Sequence, residues 1–332
     1  MGHRKYSAPR RGSIAFRPRS RAKSLEARIR NWPKLNHDKP ALMGFAGFKA
    51  GGINIMTVDD REKTPNFGKQ LLNPSTVIAT PPIRIVGIRG YRDGVNGKRV
   101  AFDVYSKDLP KELARKGNIR YKEELLTRAQ NNLSSIDDIV ATATVLPRVA
   151  HLSQKRPFVY EIAVSSNDNQ NKFEYIKGLF GKEIRVQDVF QLGQTVDVIG
   201  ITRGKGVEGP ITRFGVKRKQ HKSRKSVRAV GTLGPISPAV VMYTVARQGQ
   251  RGFHQRTEYN KRILLMSSTN KDNQISINPS GGFKHYGLIK DDYVVLRGSV
   301  PGVPKRLVKL RQPIRDTHRR VIEPKVIEVM TK

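Results

Sequence analysis

The sequence predicts a mainly β chain interrupted by an α/β insertion, and three observations carry that expectation. Short β-branched and apolar runs bounded by Gly, Pro or Asp-Asp lie on both sides of the chain. A block with helix-type start and stop residues sits between them. Charge is spread so unevenly that this block stands apart from its flanks. At 332 residues and 37% hydrophobic, the chain can also build a sizeable core.

In order along the chain, residues 1–30 hold ten Lys/Arg against the single acid Glu26 and follow neither helical nor strand periodicity. They read as a basic extension, placed at 1–36, that folds on its partner. "ALMGFAGFKAGGINIMTVDD" and "STVIATPPIRIVGIRGY" read as strands. "SKDLPKELARKG" predicts a helix with Asp108 as N-cap, Pro110 in the first turn and Gly117 at the stop, and "YKEELLTRAQNNL" continues in helical vein. "SIDDIVATATVLP" pairs Ser135 with Asp138 at capping-box spacing, yet the run behind them is so β-branched that helix and strand both stay open. "FVYEIAVSS" predicts a strand and "KFEYIKGLFGK" a short helix. Strands return in "TVDVIGITRG", "AVVMYTVARQG", "KRILLMSST" and "DDYVVLRGSV". The expected organisation is therefore a discontinuous β domain of residues 37–100 and 189–332 that includes a long basic loop, 204–262. An α/β domain, 101–188, is inserted into it.

With 63 Lys/Arg against 27 Asp/Glu, the net charge is +36, far beyond what solubility needs, and a polyanionic partner explains it. Residues 101–200 carry only +1, so the rest of the chain carries +35. Between Glu208 and Glu258, 49 residues contain eleven Lys/Arg and no acid. Phosphates would neutralise such a segment, which makes its bases the first candidates for RNA contact: Arg213, Lys217, Arg218, Lys219, Lys222, Arg224, Lys225, Arg228, Arg247, Arg251 and Arg256, with Lys205 just before it among the glycines. His221 and His254 lie in the same company, where an imidazole can donate to phosphate or stack on a base. The arm adds Arg4, Lys5, Arg10, Arg11, Arg17 and Arg19, and the basic carboxyl-terminal stretch adds Lys305, Arg306 and Arg311. Tyr6, Phe16, Trp32, Phe214 and Phe253 are candidates for stacking on unpaired bases.

Other chemistries find little support. The absence of cysteine excludes disulfides, thiolate metal sites and a cysteine nucleophile. No apolar run approaches the roughly 20 residues of a spanning helix, and the basic start has no apolar segment behind it, so neither a membrane partner nor a secretory leader is expected. "GKGVEG", Gly204 to Gly209, matches a dinucleotide fingerprint, but Pro210 is expected to begin an alternating run, and no ribose-binding acid follows before Glu258. The seven histidines are scattered, without zinc-motif spacing. The pairs Asp59-Asp60, Glu123-Glu124, Asp137-Asp138 and Asp291-Asp292 are sequence neighbours, read as solvated turns or helix starts rather than acid/base pairs. No nucleophile elbow, zinc finger, helix-turn-helix or RNA-recognition aromatic core is present. No enzyme activity, cofactor or small-molecule substrate is expected, and the reading is of a protein that follows the shape and backbone of a folded RNA.

"HRKYSAPRRGSIAFRPR", "GITRGKGVEGPITRFGVKR", "ARQGQRGFHQRTEYNKRI" and "NPSGGFKHYGLIKDDYVVLRGSVPG" carry a more specific signal. Across nearly the whole chain they resemble the family of the large-subunit ribosomal protein numbered three, in its archaeal and eukaryotic form. The resemblance implies a translation-factor-type β-barrel, an α/β insertion and a long loop threaded through ribosomal RNA towards the peptidyl transferase centre. It further implies a cytoplasmic, ribosome-bound protein whose partners are large-subunit ribosomal RNA and neighbouring ribosomal proteins, with roles in assembly but no catalytic group. Two departures stand out. Many members carry tryptophan at the loop tip where this chain has Ile236, and a methionine is expected where it has Gly52.

Overall fold

A computed structural model describes residues 9–35, 39–117, 119–223, 226–267, 277–315 and 321–331. The chain forms two compact units, one of Leu25–Gly200 with Arg256–Lys332, the other of Met1–Ser24 with Ile201–Gln255. The larger unit is mainly β, as expected. Its longer strands are β1 (Gly44–Val58), β2 (Gln70–Ala79), β3 (Ile83–Gly94), β4 (Gly97–Tyr105), β5 (Asp138–Val145) and β6 (Phe158–Ser165). They continue with β7 (Thr195–Ile201), β8 (Gln255–Ser267), β9 (Tyr293–Arg297), β10 (Leu307–Arg311) and β11 (Val326–Met330). The helices α1 (Glu123–Asn131) and α2 (Asn169–Gly178) fall in the middle of the chain.

One sheet of seven strands runs in the order β10, β7, β8, β9, β2, β1, β11. Because β10 pairs antiparallel with both β7 and β1, the path returns on itself as a ring of six strands, with β11 added along β1. The second sheet, β6-β5-β3-β4, is antiparallel throughout and is extended by Ala41–Leu42 beside β6 and Glu183–Ile184 beside β3. Its longer strands begin in sequence at Ile83. Phe45, Phe48, Ile78 and Val196 from the first sheet and Ile85, Ile88, Ala141 and Ile162 from the second belong to one apolar core. The rings of Phe48 and Phe158 meet at 6.1 Å. Removing that much apolar surface from water is what holds two sheets of opposite sequence origin together. Gly51 sits at a bulge in β1 where a Cβ would lie 2.5 Å from the Phe283 ring, so the close approach needs glycine. Gly52 is exposed, and a Cβ there would meet only Ser75 O at 3.6 Å, so its departure from methionine leaves the packing intact.

Several local expectations are corrected. Lys111–Arg115 is a short 3-10 helix with Pro110 at its N-cap and no side-chain cap; Asp108 instead donates its N–H to Ser106 Oγ at 3.2 Å. Ser135 and Asp138 form no capping box, because the β-branched run is strand β5 and the Asp138 carboxylate accepts from Lys172 Nζ at 3.2 Å. The pairs read as solvated turns include buried acids. Asp59 is buried and held well below the ordinary carboxylate range, chiefly by the Arg61 guanidinium. Asp292 is buried too, with Arg185 3.6 Å away.

The one acid of the first 30 residues is an anchor. Glu26 accepts from Lys309 Nζ at 3.1 Å and lies 3.8 Å from Lys116 Nζ. Lys309 sits on β10 over the Tyr160 ring at 4.8 Å, its ammonium destabilised by burial and partly restored by Glu26. Glu26→Ala leaves that buried ammonium without its carboxylate, so unfolding in urea should shift to lower denaturant by about 2 kcal/mol of stability. An unchanged midpoint would show that the pair contributes nothing.

Candidate nucleic-acid interface

In the smaller unit the chain leaves β7 and returns to β8 through two legs that zip together. Thr202 N–H donates to His254 O at 2.9 Å, Phe253 N–H to Arg203 O at 3.3 Å, Lys205 N–H to Arg251 O at 3.0 Å and Arg251 N–H to Gly206 O at 2.8 Å. Val207–Glu208 then pairs antiparallel with Gly249–Gln250. The crossing is possible because Gly252 takes φ +71°, where a Cβ would sit 1.9 Å from Arg203 O. Above the ladder, Pro210–Phe214 forms a one-turn helix, α3, with proline at its first position and a left-handed Gly215 at its end. This corrects the alternating run expected after Gly209. The turn ends within five residues and buries Phe214.

The arm packs onto this base. Ala22 N–H donates to Phe253 O at 2.8 Å, and His254 Nδ1 lies 2.9 Å from Ser20 O. Arg19 Nη1 donates to Arg213 O at 2.5 Å, and Arg17 donates to the carbonyls of Tyr243 and Val245. Three guanidiniums gather on one ring: Arg17, Arg19 and Arg213 lie 4.5, 4.3 and 5.0 Å from the centre of Phe214. Arg213 also holds the loop legs, with Nε donating to Gln250 O at 3.0 Å and Nη1 to Arg247 O at 3.2 Å. Arg21 stacks on Phe253 at 5.6 Å.

This packing happens against the electrostatics. The arm brings eight Lys/Arg and residues 201–255 bring twelve, facing the single acid Glu208, whose carboxylate is engaged by Arg251 at 2.7 Å. Burial lowers the proton affinity of Arg19 and Arg213, and their cationic neighbours lower it further. A unit so charged is stabilised by anything that brings negative charge to it.

The candidate residues separate by position. Arg17, Arg19 and Arg213 converge on Phe214. Arg10, Arg11, Lys205, Lys217, Arg218, His221, Lys222, Arg228 and Arg247 are exposed in the same unit, and Lys219 and Arg251 are half-buried there. Arg4, Lys5, Arg224 and Lys225 lie outside the described residues, as does Tyr6. His254 is buried with its ring against the arm, a structural position. Arg256, Lys305, Arg306 and Arg311 belong to the other unit. Arg311 is buried on β10 with Nη2 donating to Asp197 at 2.7 Å, so its charge is satisfied inside the protein. Trp32 packs against the apolar core rather than standing free for a base. Ile236 is 96% exposed.

"AVVMYTVARQG" is not a strand: residues 239–248 carry no ladder, and Val241, Met242 and Tyr243 stand exposed. Their backbone is instead fixed by the arm, through the Arg17 donation to Tyr243 and Val245. This docking of arm on loop is what the sequence reading missed. The complementary signal is faint, consisting of two acid-free stretches, residues 1–24 and 209–257, that each contain an arginine-flanked aromatic.

Among the described residues, no cluster of three or more His, Asp or Glu side chains could hold a metal ion. What the arrangement offers is dense positive charge on an aromatic-lined base, a chemistry of phosphate and base contact. Comparison with known proteins agrees with that chemistry. Residues 1–331 match the sequence model of the family described as ribosomal protein L3. The large ribosomal subunit protein uL3 of Caldivirga maquilingensis is 45% identical over 94% of this chain and 91% of its own length. The proteins of the same name from Archaeoglobus fulgidus, 41% identical over 94% and 93%, and from Methanobrevibacter smithii, 38% identical over 99% and 98%, are similar as well. The chain thus belongs to the ribosomal protein L3 family.

Proposed function

We propose that the protein is a non-enzymatic structural constituent of the large ribosomal subunit that binds ribosomal RNA and supports assembly of the subunit. The observation that carries this reading is the smaller unit, where twenty Lys/Arg face one acid and three of the arginines share a single ring. No protein side chain in that unit can neutralise them, and RNA phosphates can. In this reading the six-strand ring is a translation-factor-type barrel, and the middle of the chain is its insertion. The loop carries Ile236 towards the peptidyl transferase region, where it shapes RNA without supplying a catalytic group. Neighbouring ribosomal proteins would complete its surroundings in the cytoplasmic ribosome. The exposed bases of arm and loop make the RNA contacts; Arg311 does not.

Sucrose-gradient sedimentation of a cell extract tests this directly. Stoichiometric, salt-resistant migration with the large subunit is expected, and a free soluble pool would contradict it. On an isolated ribosomal RNA fragment, affinity should fall steeply with salt. The log–log slope should be about −5 or steeper if some six phosphates are neutralised. A slope nearer −1 would point to a small specific pocket instead of a phosphate-tracking surface.

A further inference from the structure

We propose that the cleft beside Phe214, between arm and loop, captures one unpaired nucleotide of RNA, its phosphate held by Arg17 and Arg19 and its base against Tyr243. The cleft has a volume of about 630 Å³, and its wall combines a basic part, Arg17, Arg19, Arg213 and Arg247, with an apolar part, Val241, Met242 and Tyr243. No acid lines it.

The two parts of the wall ask for the two halves of a nucleotide. Arg213 is tied to protein carbonyls through all three of its nitrogens. Arg17 and Arg19 each direct Nη1 to backbone carbonyls and meet no carboxylate in the cleft. Guanidiniums gathered on one ring repel one another, and the unit's one carboxylate is already engaged by Arg251, so the counter-charge comes from outside. A sulfate-sized anion would satisfy that part alone. The other part is apolar and open: Val241 is 49%, Met242 51% and Tyr243 71% exposed, in a stretch whose backbone the arm fixes in place. Duplex RNA presents phosphates and hydroxyls to such a wall and gains little from it. A splayed base gains stacking on the tyrosine and contact with the thioether. The site therefore selects a single-stranded segment.

This inference rests on the RNA-binding reading and has its own test. The full-length protein is titrated with a short single-stranded RNA, with the same RNA carrying one abasic residue at each position in turn, and with its duplex. Tyr243→Ala should weaken single-strand binding about tenfold and leave duplex binding unchanged. Tyr243→Phe, which keeps the ring, should retain single-strand affinity. One abasic position should bind the wild-type protein as weakly as the intact RNA binds Tyr243→Ala. Lys217→Ala, which removes a charge outside the cleft, should lower all three RNAs by one common factor. Equal losses of Tyr243→Ala on single strand, abasic strand and duplex, or no loss at all, would overturn the capture of a base. Because Tyr243 is exposed, such a result is not a folding defect. If the chain still sediments with the large subunit after that result, only the cleft assignment fails.

Discussion

Replacing Asp197 with alanine should destabilise the larger unit by about 3–5 kcal/mol, the largest single-residue effect expected in this protein. Asp197 is fully buried on β7, and its carboxylate accepts three hydrogen bonds: Arg311 Nη2 at 2.7 Å, Asn260 N–H at 3.0 Å and Ile314 N–H at 3.2 Å. One side chain thus ties β7, β8 and the chain leaving β10, in the region where the strand ring closes through β10. Alanine leaves an arginine that is 5% exposed with no counter-charge and two backbone donors with no acceptor. Asp197→Asn keeps an acceptor for the N–H groups while losing the charge, so it should fall between wild type and alanine. Urea unfolding of the three proteins checks the order, and if the alanine variant does not accumulate, Asp197→Asn against wild type still does. A loss below about 1 kcal/mol would mean that water replaces the carboxylate and that the pair is not buried in solution.

The same pair shows what was legible in the sequence and what was not. Strands such as β9, "YVVLR", follow from local composition that tertiary packing does not override, and the helix read in "KFEYIKGLFGK" is α2, which starts earlier, at Asn169, where Asp168 accepts from Gln170 N–H at 3.1 Å. "LVKLR", read only as part of a basic tail, is strand β10, and the partners of its charges do not show in it. Lys309 and Arg311 are two residues apart and both buried, and their acids, Glu26 and Asp197, lie far away in sequence. A basic residue in a basic tail looks like an RNA contact until the acid that pairs with it is located. "AVVMYTVA" failed in the opposite direction. Its β-branched residues describe a segment that could pair, and among the described residues no strand pairs with it. The short helix at Pro210–Phe214 was announced by proline at its start and glycine after its end, a signal that the search for alternation passed over. Charge segregation was legible because it is a sum over many residues and needs no register. The Phe214 cluster was not, since it joins positions about 200 residues apart.

Gly252→Ala should release the arm while leaving the larger unit folded. At φ +71° an L-residue is strained, and here the added Cβ would also lie 1.9 Å from Arg203 O, a contact relieved only by separating the two legs of the loop. The bonds on either side, Phe253 N–H to Arg203 O and Lys205 N–H to Arg251 O, are the ones lost first. The arm depends on the same leg, through Ala22 N–H on Phe253 O and Ser20 O on His254, so it should detach with the ladder. Trypsin should then cut at Arg19 and Arg21 at least several-fold faster than in wild type, and affinity for a ribosomal RNA fragment should fall. The midpoint for urea unfolding of the larger unit should not move, because its core residues lie outside 201–255. Gly52→Ala is the matched control: with Ser75 O at 3.6 Å as its nearest neighbour, it should change neither cleavage nor binding. Unchanged trypsin sensitivity in Gly252→Ala would mean that the arm is held by something other than the ladder. The guanidinium cluster on Phe214 would then be its principal attachment, and the like charges gathered there would have to be bound by an anion even in the free protein.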